Sequence, residues 1–289
     1  MTEPILKTEA KSDDDHIVYD LTNSSHTSNL FPKKVWKTHY QNALDELDKA
    51  EQLSTLQPFQ GEYKLRKEIS RYLERIRGVK CHPDQIIITI GLQQSLDYIC
   101  QFLGNTKRSV LMEDPSYPKA REIFKKNAYP IVTAEVDEKG LDLTKVDRSS
   151  EIEMIYTTPS HQFPLGMIMP ISRRRELLSF AEAYNSFILE DDYDSELRYY
   201  QRPIPALKSI DYLGRVIYLG TFSKILSPSF RMGYMVLPEQ FTESFLEKFK
   251  LYNSTVNLLN QIALANILSS GDYDRLVRKM NHVFKKRYE

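Results

Sequence analysis

The sequence predicts an α/β protein built on a largely parallel β-sheet. Short β-branched runs recur along the chain, and amphipathic stretches of helical spacing lie between them. Strands that are separated by helices of about ten or more residues are joined by crossover connections, which place them parallel in the sheet. We find neither an internal repeat nor a low-complexity segment. The order of the elements therefore predicts the fold class.

The bounds of the elements are predicted from where the apolar periodicity starts and stops. Residues 1–18 are polar and have no such period, which predicts a disordered tail or linker remnant. The predicted strands are Gln85–Thr89, Ser109–Glu113, Ile131–Ala134, Glu153–Thr157, Phe187–Glu190, Arg215–Leu219 and Met232–Leu237. The predicted helices are Val35–Leu47, Glu62–Arg75, Gln93–Phe102, Pro118–Asn127, Ser172–Tyr184, Glu239–Leu251 and Asn257–Leu268, with Ser172 as a cap.

Length and composition exclude several classes of protein. The 289 residues include 41% apolar residues, enough for a sizeable core without disulfide bonds. The 39 basic residues balance 39 acidic ones, which argues against a general polyanion-binding surface. Two cysteines without C-x-x-C spacing suggest neither a disulfide framework nor a metal site. Without an apolar run of membrane-spanning length or a signal-peptide core, we expect a soluble, cytoplasmic protein.

Candidate functional residues follow the predicted strands, because ligands of open parallel sheets bind at the carboxyl ends of the strands. Gly91 follows the first strand and opens a helix, whose free amides could bind an anion. Alone this signal is weak, since many strand-to-helix turns contain glycine. The strand Phe187–Glu190 leads into Glu190-Asp-Asp-Tyr-Asp194. These four carboxylates are held by cations, or they form a solvated acidic turn, or they form a metal cluster.

The strand Arg215–Leu219 leads into a lysine flanked by hydroxyl groups. The segment reads Gly220-Thr-Phe-Ser-Lys224, and Arg231 follows. Lys224 alone is compatible with an ordinary exposed lysine. An acidic strand end together with a lysine-bearing one fits pyridoxal phosphate, which needs a Schiff-base lysine and a carboxylate opposite its pyridinium nitrogen. It also needs a phosphate cup of amides, hydroxyls and an arginine, and a ring stacked on its face.

Five motifs in order carry a family resemblance. They are Thr89-Ile-Gly-Leu-Gln-Gln94, Asp114-Pro-Ser-Tyr-Pro118, Pro159-Ser-His-Gln-Phe-Pro-Leu-Gly166, Glu190-Asp-Asp-Tyr-Asp-Ser-Glu196, and Gly220-Thr-Phe-Ser-Lys224 through Arg231-Met-Gly-Tyr234. Together they resemble the fold-type-I aminotransferases, and more narrowly the aminotransferase-like domain of MocR/GabR-type transcription regulators. The resemblance runs from about Tyr19 to the C-terminus and implies a three-layer sandwich, the large domain of that fold.

The resemblance implies a role for each matching residue. Lys224 would hold pyridoxal 5′-phosphate as an internal aldimine, Asp191 would pair with the pyridinium nitrogen, and Tyr193 would donate to the phenolic oxygen. Tyr117 would stack on the ring, and His161 or Gln162 would stand near the phenolic oxygen. The implied phosphate cup consists of Gly91, Leu92, Gln93, Thr221, Ser223 and Arg231.

Several charged residues near these motifs are expected to have structural roles. We expect Asp192 and Asp194 to be turn or capping residues, and Arg173-Arg-Arg175 to form a solvated helix face. His161 is also compatible with a purely structural hydrogen bond, and Tyr117 with a core position.

The resemblance also sets expectations for domain organisation. We expect an N-terminal arm at 19–50, a cofactor-binding large domain at 51–238, and helices at 239–289 that lead into a truncated interdomain helix. No DNA-binding module is expected in this chain. Leu56 departs from a tyrosine that is common in the family. The apolar stripe that includes Ile262 and Leu268 is expected to lack packing partners.

Three functions remain open on the sequence alone. The first is a regulator's effector domain that senses an amine or amino acid, the second a free-standing aminotransferase, and the third an inactive fragment. Efficient turnover is doubtful without the small domain that supplies the substrate-binding arginine. Because fold-type-I sites form at dimer interfaces, a homodimer is expected.

Overall fold

The computed structural model describes residues 31–48, 57–104, 107–147, 149–197 and 204–288. Chain contacts separate residues 1–31 from residues 32–289, and the fold described below is that of the second unit. The predicted tail at 1–18, much of the predicted arm at 19–50, and Leu56 lie outside the described residues. The predicted domain bounds stay a prediction.

Eight strands form one mixed sheet. They are β1 (Ile86–Thr89), β2 (Ser109–Asp114), β3 (Ile131–Asp137), β4 (Gly140–Leu141), β5 (Ile152–Thr157), β6 (Phe187–Asp192), β7 (Val216–Thr221) and β8 (Gly233–Val236). The order across the sheet is β1-β8-β7-β6-β5-β2-β3-β4. Strands β7, β6, β5, β2 and β3 run parallel, whereas β8 is antiparallel to both of its neighbours and β4 to β3. The predicted fold class is confirmed, and only the two-residue β4 was not predicted.

The helices confirm the predicted pattern with shifts of a few residues at their ends. They are α1 (Lys33–Asp48), α2 (Tyr63–Arg77), α3 (Leu92–Leu103), α4 (Pro118–Lys126), α5 (Ile171–Ala183), α6 (Glu239–Lys248), α7 (Leu258–Ser269) and α8 (Asp272–Tyr288). The prediction that Ser172 caps a helix is wrong. Pro170 occupies the N-cap of α5 and Ser172 lies in its first turn, because the helix starts directly after the extended proline.

Two apolar clusters on opposite faces of the sheet make the fold a three-layer sandwich. On one face, Leu96 of α3, Phe124 of α4 and Phe245 of α6 pack in a cluster with strand residues. On the other face, Leu177 and Ala181 of α5 pack in the second cluster. Successive strand residues point to opposite faces, and β2, β5, β6 and β7 each contribute residues to both clusters.

The apolar stripe of α7 is buried, contrary to expectation. Ile262 is 4% exposed and Leu268 is 9% exposed. The expectation was wrong because α1 packs against α7: Ala43 and Leu47 of α1 are buried in one cluster with Ile262 and Ala263. Helix α1 is thereby held on the same body as the sheet.

The strand registers place the ends of several strands side by side at one edge of the sheet. Thr89 at the end of β1 pairs with Gly233 at the start of β8, and Gly233 pairs with Thr221 at the end of β7. Parallel β7, β6, β5 and β2 end at this same edge. The motifs that follow these strands therefore meet there. Among the described helices, none combines the length and the apolar character of a membrane span.

Candidate functional site

The end of β1 and the segment before β8 form one end of the site. Gly91 is the N-cap of α3 and has φ +123°, a conformation that side chains disfavour. A Cβ built on Gly91 would lie 3.3 Å from Nη2 of Arg231. The glycine therefore lets the guanidinium approach the start of α3, where the first helical amides have no acceptor within the helix. A cation and free amides together suit an anion.

Arg231 adopts an unusual backbone conformation. Its φ of 46° and ψ of 55° place a non-glycine residue in the left-handed region, which is uncommon. It follows the short 3₁₀ turn Pro228–Phe230, and its own N–H donates to the Pro228 carbonyl at 3.3 Å. Ser227 caps the turn through its hydroxyl, which accepts from the Ser229 amide at 3.2 Å. The turn aims Arg231 back towards Gly91.

Lys224 lies in the turn that follows β7. The Ser223 amide donates to Oγ1 of Thr221 at 3.2 Å, and the Leu226 amide donates to the Phe222 carbonyl at 2.9 Å. This tight turn places Nζ of Lys224 5.7 Å from the centre of the Tyr193 ring. Lys224 is half-buried, so its amine is accessible at the sheet edge.

Asp191, at the end of β6, is a buried carboxylate that takes part in no ion pair among the described residues. It is 5% exposed, and the Tyr156 hydroxyl donates to its Oδ2 at 2.5 Å. Burial raises the pKa of Asp191 to about 7; Tyr156 opposes this shift, and nearby carboxylates such as Asp192 add to it. A carboxylate in this environment gains stability from a cation placed against it.

Asp192 has a different role from the predicted turn or cap. Nε of Arg77 donates to its Oδ2 at 2.8 Å, and the Tyr218 hydroxyl donates to the same oxygen. Burial alone would raise the pKa of Asp192, but Arg77 and these hydrogen bonds hold it below its usual range. The prediction was wrong because β6 continues through Asp192 and carries it into the interior.

Tyr193 stands beside a histidine–aspartate pair. Nδ1 of His161 lies 2.6 Å from Oδ2 of Asp194 and 3.5 Å from the Tyr193 hydroxyl. The hydrogen bond that His161 donates to Asp194 raises the pKa of His161. Burial, followed by the charges of Asp194 and Asp191, raises the pKa of Tyr193. Asp194 thus orients a ring at the site and is not a simple turn residue.

Tyr117 reaches the same region through Phe163. The rings of Tyr117 and Phe163 meet edge to face with centroids 5.5 Å apart, and Phe163 contacts Tyr193 at 6.3 Å. The pKa of Tyr117 is raised by burial and then by the charge of Asp191, while Arg231 lowers it. The charges of both Asp191 and Arg231 are therefore felt at Tyr117.

Gln162 is turned away from these residues and holds its own loop. It is 2% exposed, and its Nε2 donates to Oε2 of Glu113 at 3.2 Å and to the Pro115 carbonyl at 2.9 Å. Its Oε1 accepts from the Leu165 amide at 3.0 Å. Of the two predicted candidates, His161 is the one whose ring faces Tyr193.

The predicted phosphate-cup residues differ in what their side chains contribute. Leu92 packs its side chain against the apolar core, so only its amide is available to a ligand. The side chain of Gln93 is exposed on α3. Thr221 and Ser223 are half-buried and face the lysine turn through their mutual hydrogen bond.

Three residues that support the site were not predicted. Arg77 and Tyr156 hold the two aspartates as described above. Glu113, 1% exposed, accepts hydrogen bonds from the Thr157 and Thr158 hydroxyls and from Gln162, and burial raises its pKa. A tyrosine within the apolar strand Glu153–Thr157 was the available signal for Tyr156, whereas Arg77 at a helix end gave none.

The predicted solvated face at the start of α5 is wrong for Arg173 and Arg174, which are buried, and holds for Arg175, which is exposed. Arg174 is fully buried and donates to the Met169 and Pro159 carbonyls at 2.9 Å and to the Pro205 carbonyl at 2.7 Å. Arg173, 9% exposed, pairs with Asp137 at 2.7 Å. The prediction was wrong because these guanidiniums satisfy carbonyls and a carboxylate where the chain bends beside the sheet.

Comparison with known proteins places these features in a family context. Residues 21–289 match the family model for class I and II aminotransferases. The chain is 40% identical to the HTH-type transcriptional regulator YdeL of Bacillus subtilis, over 90% of this chain and 55% of that protein. It is 37% identical to the probable rhizopine catabolism regulatory protein MocR of Rhizobium meliloti, over 78% of this chain and 46% of that protein.

Solved structures give the same fold. The kynurenine aminotransferase of Pyrococcus horikoshii, determined in complex with PMP, superposes with a TM-score of 0.81 and 28% identity, covering 90% of this chain and 65% of that one. The resemblance to fold-type-I aminotransferases and to MocR-type regulators is confirmed. The chain spans about half the length of the regulators it matches.

Proposed function

This chain belongs to the class I and II aminotransferase family, and on that premise we propose that its site binds pyridoxal 5′-phosphate through Lys224. The observation that carries the proposal is the meeting of Lys224 and Asp191 at one sheet edge, with Tyr193 directly after β6 and its ring centre 5.7 Å from the Lys224 amine. Residues 188–192 of β6 pair with residues 216–220 of β7 in parallel, so the segments that follow both strands emerge side by side. When bound, the cofactor supplies an electrophilic aldehyde and an electron-withdrawing ring.

The chemistry of the described residues fits this cofactor. Asp191 is a buried carboxylate that would accept a hydrogen bond from a protonated ring nitrogen, which compensates its charge. At the other end, Arg231 and the amides that follow Gly91 fit a phosphate dianion. The Lys224 amine lies 5.7 Å from the centre of the Tyr193 ring, so a lysine and a phenol accompany the carboxylate at this sheet edge.

We further propose that the chain is the effector domain of a MocR-type transcription regulator that senses an amine or amino acid. The similarity to two regulators over most of this chain supports this function. A free-standing aminotransferase is the alternative, supported by the fold it shares with an aminotransferase of known structure. In the sensor, binding of the amine shifts the domain between two states; in the enzyme, repeated turnover releases a keto acid.

Visible absorption of the purified chain with pyridoxal phosphate tests the cofactor assignment. We expect a band that is present in the wild type, lost in Lys224→Ala, and kept in Lys119→Ala. Lys119 is the matched control because it is exposed on α4, two residues after Tyr117. A folded wild-type protein without the band would overturn the assignment and favour an inactive fragment. Equal bands in wild type and Lys224→Ala would assign the cofactor to another lysine.

Addition of amino acids to the loaded protein separates the sensor from the enzyme. A spectral change without accumulation of keto acid supports a sensor, whereas keto acid in large excess over protein supports an aminotransferase. A panel of amines and amino acids, each at the same concentration, would also rank candidate effectors by the size of the spectral change.

We also propose a homodimer in the cytoplasm. Ile90, which directly precedes Gly91, is 37% exposed, and Tyr63 at the start of α2 is 50% exposed. Apolar side chains at the rim of a site are suited to contact with a second copy. Light scattering at micromolar concentration should give twice the mass of the chain; a monomer would contradict this part of the proposal.

A further inference from the structure

Helix α1 contacts the segment that carries Arg231. The Trp36 ring meets the Phe230 ring edge to face, with centroids 4.2 Å apart and planes inclined at 68°. Phe230 directly precedes Arg231 and is the last residue of the short turn after Ser227. Trp36 is the only tryptophan of the chain. A residue of the N-terminal helix thus touches the turn at the phosphate end of the proposed site.

Phe230, which Trp36 contacts, directly precedes Arg231, whose backbone conformation is unfavourable. Residues with a Cβ rarely occupy the left-handed region, and they persist there only when surrounding contacts hold them. Contacts that hold the turn include the Ser227 cap, the Phe230 amide that donates to the Ser227 carbonyl at 3.1 Å, the Arg231 amide that donates to the Pro228 carbonyl at 3.3 Å, and the Trp36 ring. The three hydrogen bonds act within the turn, whereas Trp36 acts on it from another element.

The backbone conformation of Arg231 determines where its guanidinium lies. With φ at 46°, Nη2 of Arg231 lies 3.3 Å from the position that a Cβ of Gly91 would occupy. Rotation of Arg231 into an ordinary conformation would carry the guanidinium away from the amides at the start of α3. Any contact that fixes Phe230 therefore fixes the cation of the anion site.

We propose that Trp36 is a positioning residue that acts through Phe230 to hold Arg231 at the phosphate end of the site. Docking of α1 and binding of a phosphate ester are then coupled, and by reciprocity each strengthens the other. The inference rests on the proposed function for the identity of the anion. It adds a route by which occupancy of the site reaches the N-terminal helix.

Calorimetric titration of the full chain with pyridoxine 5′-phosphate and with pyridoxine tests the coupling. Neither compound carries the aldehyde, so neither depends on Lys224, and only the first carries the phosphate. We expect Trp36→Ala to weaken binding of the phosphate ester about tenfold, the scale of coupling between contacting residues. Binding of pyridoxine should stay unchanged. Trp36→Phe should restore most of the affinity because it keeps an aromatic edge against Phe230.

Three further variants make the test specific. Arg231→Ala should lose the same affinity for the ester, and adding Trp36→Ala to it should cost nothing more. Phe230→Ala should reproduce Trp36→Ala and replaces it if that variant does not fold. Lys37→Ala is the matched control on the exposed face of α1 and should bind like the wild type. In the wild type, the ester should also change the Trp36 fluorescence, and in Arg231→Ala it should not.

The outcomes separate this inference from the proposed function. A Lys224-dependent band combined with unchanged ester affinity in Trp36→Ala overturns the inference and leaves the function standing. Ester binding that depends on Trp36 without such a band supports the inference and overturns the function. A wild type that binds the ester no better than pyridoxine overturns the inference, because Arg231 then forms no anion site.

Discussion

Two neighbouring aspartates at the end of β6 are equally buried and have opposite electrostatic environments. Asp192 faces Arg77 and the Tyr218 hydroxyl, and its pKa is held below the usual range. Asp191 points to the other face, where the Tyr156 hydroxyl is its hydrogen-bond donor among the described residues, and its pKa is about 7. Alternation along a strand therefore gives one aspartate a structural ion pair and leaves the other without an ion pair among the described residues.

The largest expected effect concerns Asp192, the aspartate that forms the structural ion pair. Arg77→Met removes the cation from Asp192 and leaves a buried charge uncompensated, which should lower the free energy of unfolding by about 3–5 kcal/mol. Urea denaturation measures this loss. Arg75→Met is the matched control, because Arg75 is exposed and pairs with Asp274 at the surface. This variant should lower the free energy of unfolding by less than about 1 kcal/mol.

A double variant sharpens this prediction. Adding Asp192→Asn to Arg77→Met removes the uncompensated charge and should recover part of the lost stability. Equal losses for Arg77→Met and Arg75→Met would contradict a structural role of the buried pair.

The pH dependence of stability tests the environment of the other aspartate, Asp191. The pKa of Asp191 is about 7 in the fold and 3.8 for a free aspartate, so its contribution to stability is full below pH 4 and is lost as pH rises through 7. Between pH 5 and pH 8, without cofactor, the free energy of unfolding should fall by about 2–3 kcal/mol through this group. Asp191→Asn should remove that part of the slope.

Glu196 contributes to the slope that should remain, as do Glu113 and Glu190, whose pKa values are also raised by burial. Burial raises the pKa of Glu196 to about 7 as well, so it titrates over the same pH interval. The measurement is therefore the difference between the wild-type slope and the Asp191→Asn slope. A slope that Asp191→Asn leaves unchanged would show that Asp191 is already ionised in the fold at pH 5.

The smallest effect distinguishes the two tyrosine donors. Tyr156→Phe removes the hydrogen bond to the ionised form of Asp191 and should raise the pKa of Asp191 above 7, by an amount equivalent to about 1 kcal/mol. Carbon NMR of the Asp191 carboxyl follows this titration. Tyr218→Phe removes a similar bond from Asp192 and should leave the Asp191 midpoint nearly unchanged. Equal shifts in both variants would mean that the two aspartates titrate as one unit.

The sequence predicted the sheet edge well because its motifs follow strands directly. Lys224, Asp191 and Gly91 each come within a few residues of a predicted strand end, and the carboxyl ends of parallel strands share one edge of the sheet. Apolar periodicity located every described strand except β4, whose two residues are too short to show a period.

The residues that sequence reasoning missed depend on contacts between distant segments. Arg77 closes α2 and reaches Asp192 through tertiary packing, and nothing in its local sequence indicates this. Arg174 looked solvated because its neighbours are charged, yet the carbonyls that it satisfies belong to two other loops. The choice between His161 and Gln162 depended on the path of their loop, which follows from hydrogen bonds to Glu113.

The antiparallel insertion of β8 between β1 and β7 has a consequence for how the protein is made. The register of Thr89 with Gly233 joins the first strand of the sheet to the last. During synthesis, β1 leaves the ribosome long before β8, and it stays an unpaired edge until β8 arrives. Such non-local pairings slow folding and keep strand edges open in intermediates. The part of the sheet edge where Arg231 meets Gly91 is therefore assembled only after β8 has been made.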